Sequence, residues 1–172
     1  MIRALPTRTV RRLLSSAASR VLLADGAQLK PRSALELSVP VPAADGSVVR
    51  MLDIFLVRDE GDVIHAYENH CPHAGGPLNL LPNRFLSRDK KHLLCATHGA
   101  FFKISGGACV RGPCVGKSLN PLPVHVDPAT GKITASEEAL LAKGEAGPFT
   151  PRAIAASSRP NAEESGSGGF AT

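Results

Sequence analysis

Two short segments each contain one cysteine and one histidine at a spacing that suits metal binding. They are Cys71-Pro72-His73 and Cys95-Ala96-Thr97-His98. Thiolates and neutral imidazoles are both metal ligands, so together the segments supply a set of two cysteines and two histidines. Glycine follows each segment, at Gly75-Gly76 and at Gly99, which lets the backbone come close to a bound group. The sequence therefore indicates a metal centre built from two loops.

Two kinds of centre use this ligand set. A zinc ion takes all four ligands itself, whereas a [2Fe–2S] cluster divides them, with the cysteines on one iron and the histidines on the other. Zinc modules usually place like ligands in local pairs, as in Cys-x2–4-Cys with His-x3–5-His. Each local unit here is mixed, so the two loops can straddle a cluster and each loop can reach both irons. The spacing favours the cluster over zinc.

The first motif, His70 to Gly76, and the second, Cys95 to Gly99, together resemble the Rieske [2Fe–2S] domain. Gly112-Pro113-Cys114 looks like the family's proline loop, and Leu119–Val126 looks like its closing strands. The resemblance covers roughly residues 33 to 136. It implies one [2Fe–2S] cluster per chain and no catalytic residues. The predicted cofactor-binding and metal-ligating residues are Cys71, His73, Cys95 and His98.

The rest of the chain has the pattern of an all-β protein. Short runs of β-branched and aromatic residues alternate with turns such as Asp59–Asp62 and Ser105–Gly107, which is typical of a small antiparallel barrel or sandwich. Pro40, Pro42, Asp45 and Gly46 predict another turn, and 137–143 predicts a short helix. The resemblance adds that two cluster-binding loops interrupt the strands. The predicted strands are 33–39, 48–58, 63–67, 92–94, 100–104, 122–126 and 132–135.

Departures from the family pattern indicate which branch the chain resembles. The respiratory branch carries a disulfide between the ligand loops, but the corresponding positions here are Gly76 and Thr97. That branch also has Ser and Tyr hydroxyls that donate to the cluster and raise its potential, whereas Ala100 and Phe102 stand at those positions. The sequence therefore predicts a low-potential cluster, like that of the Rieske-type ferredoxins of dioxygenase systems.

Several reactive residues lie outside the ligand positions. Cys109 and Cys114 are predicted to be reduced thiols, with a disulfide or a redox-sensing role as alternatives. The 21 residues between His73 and Cys95 include Arg88, Lys90 and Lys91. They are interpreted as a solvated surface loop, with a docking loop as the alternative. Surface or packing roles are predicted for His65, His70, His92 and His125, and His70 has the alternative of lining the exposed edge of the cluster.

The net charge of +5 comes from the N-terminal segment. Residues 1–32 hold seven basic residues and one acidic residue, while residues 33–172 have a net charge of −1. An amphipathic, Arg- and Ser-rich, acid-poor N-terminus is typical of an organelle transit peptide. The sequence predicts a mitochondrial (matrix) transit peptide at 1–27, a Rieske domain at 28–143 and a disordered tail at 144–172. A plastid transit peptide is the less favoured alternative. The apolar helix face consists of Val10, Leu13, Leu14, Ala17, Ala18 and Val21.

The resemblance implies a carrier of single electrons between a reductase and an acceptor, such as an oxygenase or a respiratory-type complex. The alternatives are a subunit of a larger mitochondrial complex with a structural or vestigial cluster, and a zinc-binding structural module. An oxygenase is disfavoured for this chain alone, because such enzymes need a second iron site and no histidine follows His125. No nucleic-acid partner is expected, since the chain has one Tyr and six Phe for stacking, and no apolar run reaches the ~20 residues of a transmembrane segment.

Overall fold

The computed structural model describes residues 19–42 and 49–144. These residues form nine strands, one 3-10 turn at Gly26–Gln28 and one α-helix, α1, at Glu137–Gly144. The all-β class and the short C-terminal helix are as predicted. The strands are β1 (Arg20–Asp25), β2 (Ser33–Pro42), β3 (Val49–Arg58), β4 (Ile64–Glu68), β5 (His92–Cys95), β6 (Ala100–Lys103), β7 (Cys109–Arg111), β8 (Val124–Val126) and β9 (Lys132–Ser136).

The strands form three antiparallel sheets of three strands each, in the orders β1-β9-β8, β2-β3-β4 and β5-β6-β7. The first two sheets are joined where the chain enters β8, because the Leu122 N–H donates to the Ala66 carbonyl at 2.9 Å. The third sheet is inserted between β4 and β8, and the two cysteine–histidine segments flank its first strand. The fold therefore consists of a base of two sheets and a smaller sheet that carries the candidate site.

Two clusters of buried residues match this division. The base core lies between the first two sheets and α1, with Ile54, Leu56 and Ile133 fully buried. The second core lies under the candidate site, where the rings of Phe55 and Phe85 stack with centroids 4.2 Å apart. All four cysteines belong to this second core. The site thus rests on packed aromatic residues that hold its loops in place.

Strand β2 extends further than the sequence predicts. Its pairing with β3 runs from Ser33 opposite Arg58 to Pro42 opposite Val49. Pro40 and Pro42 indicated a turn, but β2 is an edge strand, where a residue without an N–H is tolerated because no second partner needs the donor. The rest of the predicted turn, at Asp45 and Gly46, lies outside the described residues.

Two strands were not predicted. One is β7, which is only three residues long and lies in the region interpreted as the proline loop. The other is β1, which pairs with β9 and contributes the buried Ala24 to the base core. Residues 20–25 were predicted to belong to a transit peptide ending at residue 27, so the folded domain begins earlier than the predicted boundary. Residues 1–18 and 145–172, where most of the transit peptide and the tail were predicted, lie outside the described residues.

Within the described part of the chain, no helix has the length and apolar character needed to cross a membrane.

Removing β1 should destabilise the domain. A chain that begins at Gln28 loses Ala24 and the half-buried Val21 and Leu23 from the base core, and each apolar side chain of this size contributes about 1–3 kcal/mol when buried. We expect the free energy of unfolding to fall by about 2–4 kcal/mol relative to a chain that begins at Ser19, measured by urea denaturation of the two proteins. Equal stability would show that β1 does not belong to the cooperative unit.

Candidate metal centre

Both cysteine–histidine segments fold into the same kind of turn. In loop 1, the segment from Cys71 to Gly76, the Gly75 N–H donates to the Cys71 carbonyl at 2.9 Å. In loop 2, the segment from Cys95 to Gly99, the Gly99 N–H donates to the Cys95 carbonyl, also at 2.9 Å. Gly75 and Gly99 both have positive φ, at 75° and 67°, a conformation that glycine adopts without strain. The glycines noted in the sequence therefore close the two loops.

The loops are held side by side by backbone hydrogen bonds. The Ala96 N–H of loop 2 donates to the carbonyl of Leu78, which follows loop 1, at 2.7 Å. Within loop 1 the Cys71 N–H donates to the Gly76 carbonyl at 2.8 Å. The cysteine and histidine of one loop thereby lie next to those of the other.

This pairing sorts the four donors by type. Cys71 and Cys95 are both buried, at 3% and 1% exposure, with their thiols adjacent. The rings of His73 and His98 are exposed and meet edge to face, with centroids 4.9 Å apart. Two sulfur donors therefore lie inside and two imidazole donors lie at the surface.

The electrostatics of the sulfur pair suit a metal-bound thiolate. Burial raises the pKa of the Cys71 thiol, and the neighbouring Cys95 thiol raises it further, so a metal charge would be needed to hold Cys71 as a thiolate. The backbone N–H groups of His73 and Ala74 donate to the Cys71 sulfur and oppose that rise. Hydrogen bonds of this kind stabilise negative charge on a ligand sulfur. These two N–H groups would stabilise a Cys71 thiolate once a metal holds it.

The separation into like pairs fits a two-iron cluster better than a single ion. A [2Fe–2S] cluster needs two sulfur ligands at one iron and two imidazoles at the other, and the four side chains are grouped in that way. The donor set and its arrangement fit the cluster.

A buried polar network supports loop 1, and the sequence did not reveal it. Asn69 is 7% exposed and precedes the loop directly. Its side-chain oxygen accepts from the Leu78 N–H at 2.9 Å, and its Nδ2 donates to Asn79 Oδ1 at 2.8 Å. Asn79 in turn donates to the Glu36 carboxylate on β2 at 2.8 Å. The network connects loop 1 to the base. In the sequence, its only sign was that Asn69 stands next to His70.

The proline loop covers the site from the other side. Gly112 packs so closely against β6 that a Cβ atom there would lie 2.7 Å from the Cα of Ala100. Three residues beyond this loop, the Lys117 ammonium donates to the Pro72 carbonyl of loop 1 at 3.1 Å. Any side chain at position 112 would push the proline loop away from the ligand loops.

Cys109 and Cys114 form a second sulfur pair beneath the site. Both are buried as free thiols, with their sulfurs 3.0 Å apart. Burial raises the pKa of Cys114 to about 12, and the Cys109 thiol contributes to that rise. Cys114 is therefore a neutral, unreactive thiol at physiological pH. Reduced thiols at these two positions remain a prediction.

The other histidines lie apart from the four donors. The His65 ring is 2.9 Å from the Asp59 carboxylate on the β3–β4 hairpin. His92 packs edge-on against Phe101, and His125 is exposed on β8. His70 is exposed beside loop 1, where a Cβ atom on Gly75 would lie 3.4 Å from its ring. The predicted surface and packing roles hold for these side chains.

A comparison with known protein families identifies the family to which this chain belongs. A family model described as the Rieske [2Fe-2S] domain matches residues 33–128, more than half of the chain. The chain belongs to the Rieske [2Fe–2S] domain family. A Rieske domain binds one [2Fe–2S] cluster and works in electron transfer together with electron-transfer partners. A comparison with curated proteins finds no match.

Solved structures show the same Rieske fold. The quaternary ammonium Rieske monooxygenase CntA in complex with an inhibitor has 21% identity and a TM-score of 0.52, covering 70% of this chain and 32% of that chain. The terminal oxygenase of carbazole 1,9a-dioxygenase from Novosphingobium sp. KA1 has 21% identity and a TM-score of 0.50, covering 69% of this chain and 30% of that chain. This Rieske chain spans about a third of the length of those oxygenases, and the likeness concerns the fold.

The two sulfur pairs should differ sharply when they are substituted. Cys71→Ser replaces a thiol of the Cys71–Cys95 pair, so we expect at least about a tenfold loss of bound iron and sulfide per chain. Cys109→Ser, the matched control, changes a buried thiol of the second sulfur pair, Cys109 and Cys114, and should keep the full iron and sulfide content. Both proteins are analysed for iron and acid-labile sulfide, with circular dichroism to confirm folding. Full loading of folded Cys71→Ser would contradict the arrangement.

Proposed function

We propose that this Rieske protein carries single electrons between a reductase and an acceptor, with Cys71 and Cys95 binding one iron of the cluster and His73 and His98 the other. The observation that carries the proposal is the separation of the donors, with the sulfurs buried and the imidazoles exposed. When bound, the cluster supplies a one-electron redox centre whose potential depends on its surroundings. A carrier needs such a centre close to the surface on one side and shielded on the other.

The residues around the four donors support this role. His73 and His98 have exposed rings in contact with each other, so a partner can approach within a short distance of the cluster. On the opposite side, Phe102 and Leu119 are fully buried in the core that contains both cysteines. Water is excluded there, and a rigid surround keeps the rearrangement that accompanies electron transfer small.

The potential of the cluster is proposed to be low. Ala100 and Phe102 follow loop 2 on β6, and both are fully buried. Neither side chain has a hydrogen-bond donor, and donors directed at the cluster or its sulfurs raise its potential by stabilising the more negative reduced state. A low potential suits a carrier that receives electrons from a reductase and passes them to an oxygenase, the class of protein to which the structural neighbours belong.

The subcellular location of the protein is part of the same proposal. The basic, acid-poor residues 1–18 support a mitochondrial transit peptide. Because β1 begins at Arg20 and pairs with β9, a processed form that keeps the whole fold is cleaved before Arg20. The partners are then an electron-donating reductase and an electron acceptor of the matrix.

The proposal is tested by the visible and electron paramagnetic resonance spectra of the purified protein, together with iron and sulfide analysis. Two irons and two sulfides per chain, with one electron taken up reversibly, are expected. Zinc without sulfide, or a cluster that cannot be reduced and reoxidised, would contradict it.

A single added hydroxyl should raise the potential. The wild-type value is expected near the lower end of the Rieske range, at about −150 mV. Ala100→Ser introduces a donor beside loop 2 and should raise it by about 20–60 mV, the equivalent of one modest hydrogen bond. Ala100→Gly is the matched control without a donor. Protein-film voltammetry of the three proteins decides this, and a wild-type potential in the positive range would contradict the proposed low-potential role.

A further inference from the structure

The described residues are divided into two parts of opposite charge. Residues 70–119, which carry both ligand loops, hold seven basic residues and one acidic residue. The described residues on either side, 19–42, 49–69 and 120–144, hold seven basic and ten acidic residues. The third sheet and its loops are therefore net positive as a whole, and the base is slightly negative.

The one carboxylate in the positive part lies away from loop 2, together with three of the seven basic residues, Arg88, Lys90 and Lys91. Asp89 accepts from the Ser87 hydroxyl at 2.6 Å and from the Lys91 N–H at 3.1 Å. It lies in the turn before β5, and β5 runs from there to loop 2 at its other end. No acidic side chain belongs to either ligand loop or to the proline loop.

Two of the other basic residues lie near the ligand loops. Lys117 donates to the Pro72 carbonyl, between Cys71 and His73 in loop 1. Arg111 pairs with Phe101 across β6 and β7 and places its guanidinium 5.4 Å from the centre of that ring. Phe101 is two residues beyond the end of loop 2. Both cations are exposed.

Exposed apolar side chains lie beside the same two loops. Leu80 and Leu81 are 66% and 64% exposed, and they follow Leu78, whose carbonyl is bonded to loop 2. Val115, which directly follows the proline loop and stands two residues before Lys117, is 64% exposed. Protein interfaces commonly combine an apolar centre with charged residues at the rim.

We propose that these residues form a docking face for an acidic redox protein. This inference rests on the proposed electron-carrier function and specifies the chemistry of the partner: a carboxylate-rich surface surrounding an apolar patch next to its own redox group. Electrostatic attraction of this kind accelerates encounter and orients the two redox centres before contact. The docking face consists of His73, His98, Leu80, Val115, Arg111 and Lys117.

A protein partner suits this surface better than nucleic acid or an anionic membrane. Phosphate binding uses basic residues in grooves or along a helix, usually with exposed aromatic rings for single strands. Here the face contains exposed leucine and valine, and Phe101 is half-buried beneath Arg111. The imidazole pair lies within the face, so docking there brings a redox partner to the candidate cluster.

The test uses two small haem proteins of opposite charge as electron acceptors. Reduced holoprotein is mixed by stopped flow with oxidised cytochrome b5, which is acidic, or with cytochrome c, which is basic, at ionic strengths from about 20 to about 500 mM. We expect the rate with cytochrome b5 to fall by about tenfold as salt increases, and the rate with cytochrome c to rise. The variant Arg111→Glu/Lys117→Glu should abolish both trends. The matched control Lys30→Glu/Lys132→Glu changes the net charge equally on the base and should keep them.

The outcomes separate this inference from the proposed function. The spectrum and reversible reduction of the cluster are measured first, so their absence would reject the carrier itself. An intact, reducible cluster whose rates show no opposite salt dependence would overturn the docking face alone. The docking face would also be overturned if the protein bound a DNA duplex or anionic vesicles more tightly than cytochrome b5 at the same ionic strength.

Discussion

The structure depends on the alignment of the two ligand loops, which must bring sulfur next to sulfur and imidazole next to imidazole. A cysteine and a histidine from each loop can serve a two-iron cluster only if sulfur meets sulfur and imidazole meets imidazole. The hydrogen bond from the Ala96 N–H to the Leu78 carbonyl sets the two loops side by side, and the Asn69 network fixes loop 1 to the base. The sheets, the aromatic core and the proline loop all serve to hold that alignment.

The parts that the sequence predicted are those with strong local signals. The glycines after each ligand pair and the alternating apolar residues of β3 and β4 identified the loops and the hairpin before them. Strand β1 was missed because Arg20 and Val21 also fit an amphipathic helix, and only pairing with the distant β9 decides between the two. The Asn69–Asn79–Glu36 network was missed for the same reason, since Glu36 is far from both asparagines in the sequence.

The charge of the chain acquires a different meaning once the residues are placed in space. In the sequence, the basic excess belongs to the N-terminal segment and the remainder is close to neutral. In the fold, the described residues separate into a net positive part, the third sheet with its loops, and a slightly negative base. Near-neutral totals conceal such a division, because the chain leaves the base after β4 and returns to it only before β8. The separation supplies both a surface for a partner and a direction for its approach.

The central claim is that two imidazoles bind one iron while two thiolates bind the other. Its most direct test is pulsed electron paramagnetic resonance of the reduced protein with all histidines labelled with 15N. The account predicts hyperfine coupling from two histidine nitrogens, and from one in the His73→Cys variant. A reduced cluster with no histidine nitrogen coupling, or a coupling unchanged in that variant, would contradict it.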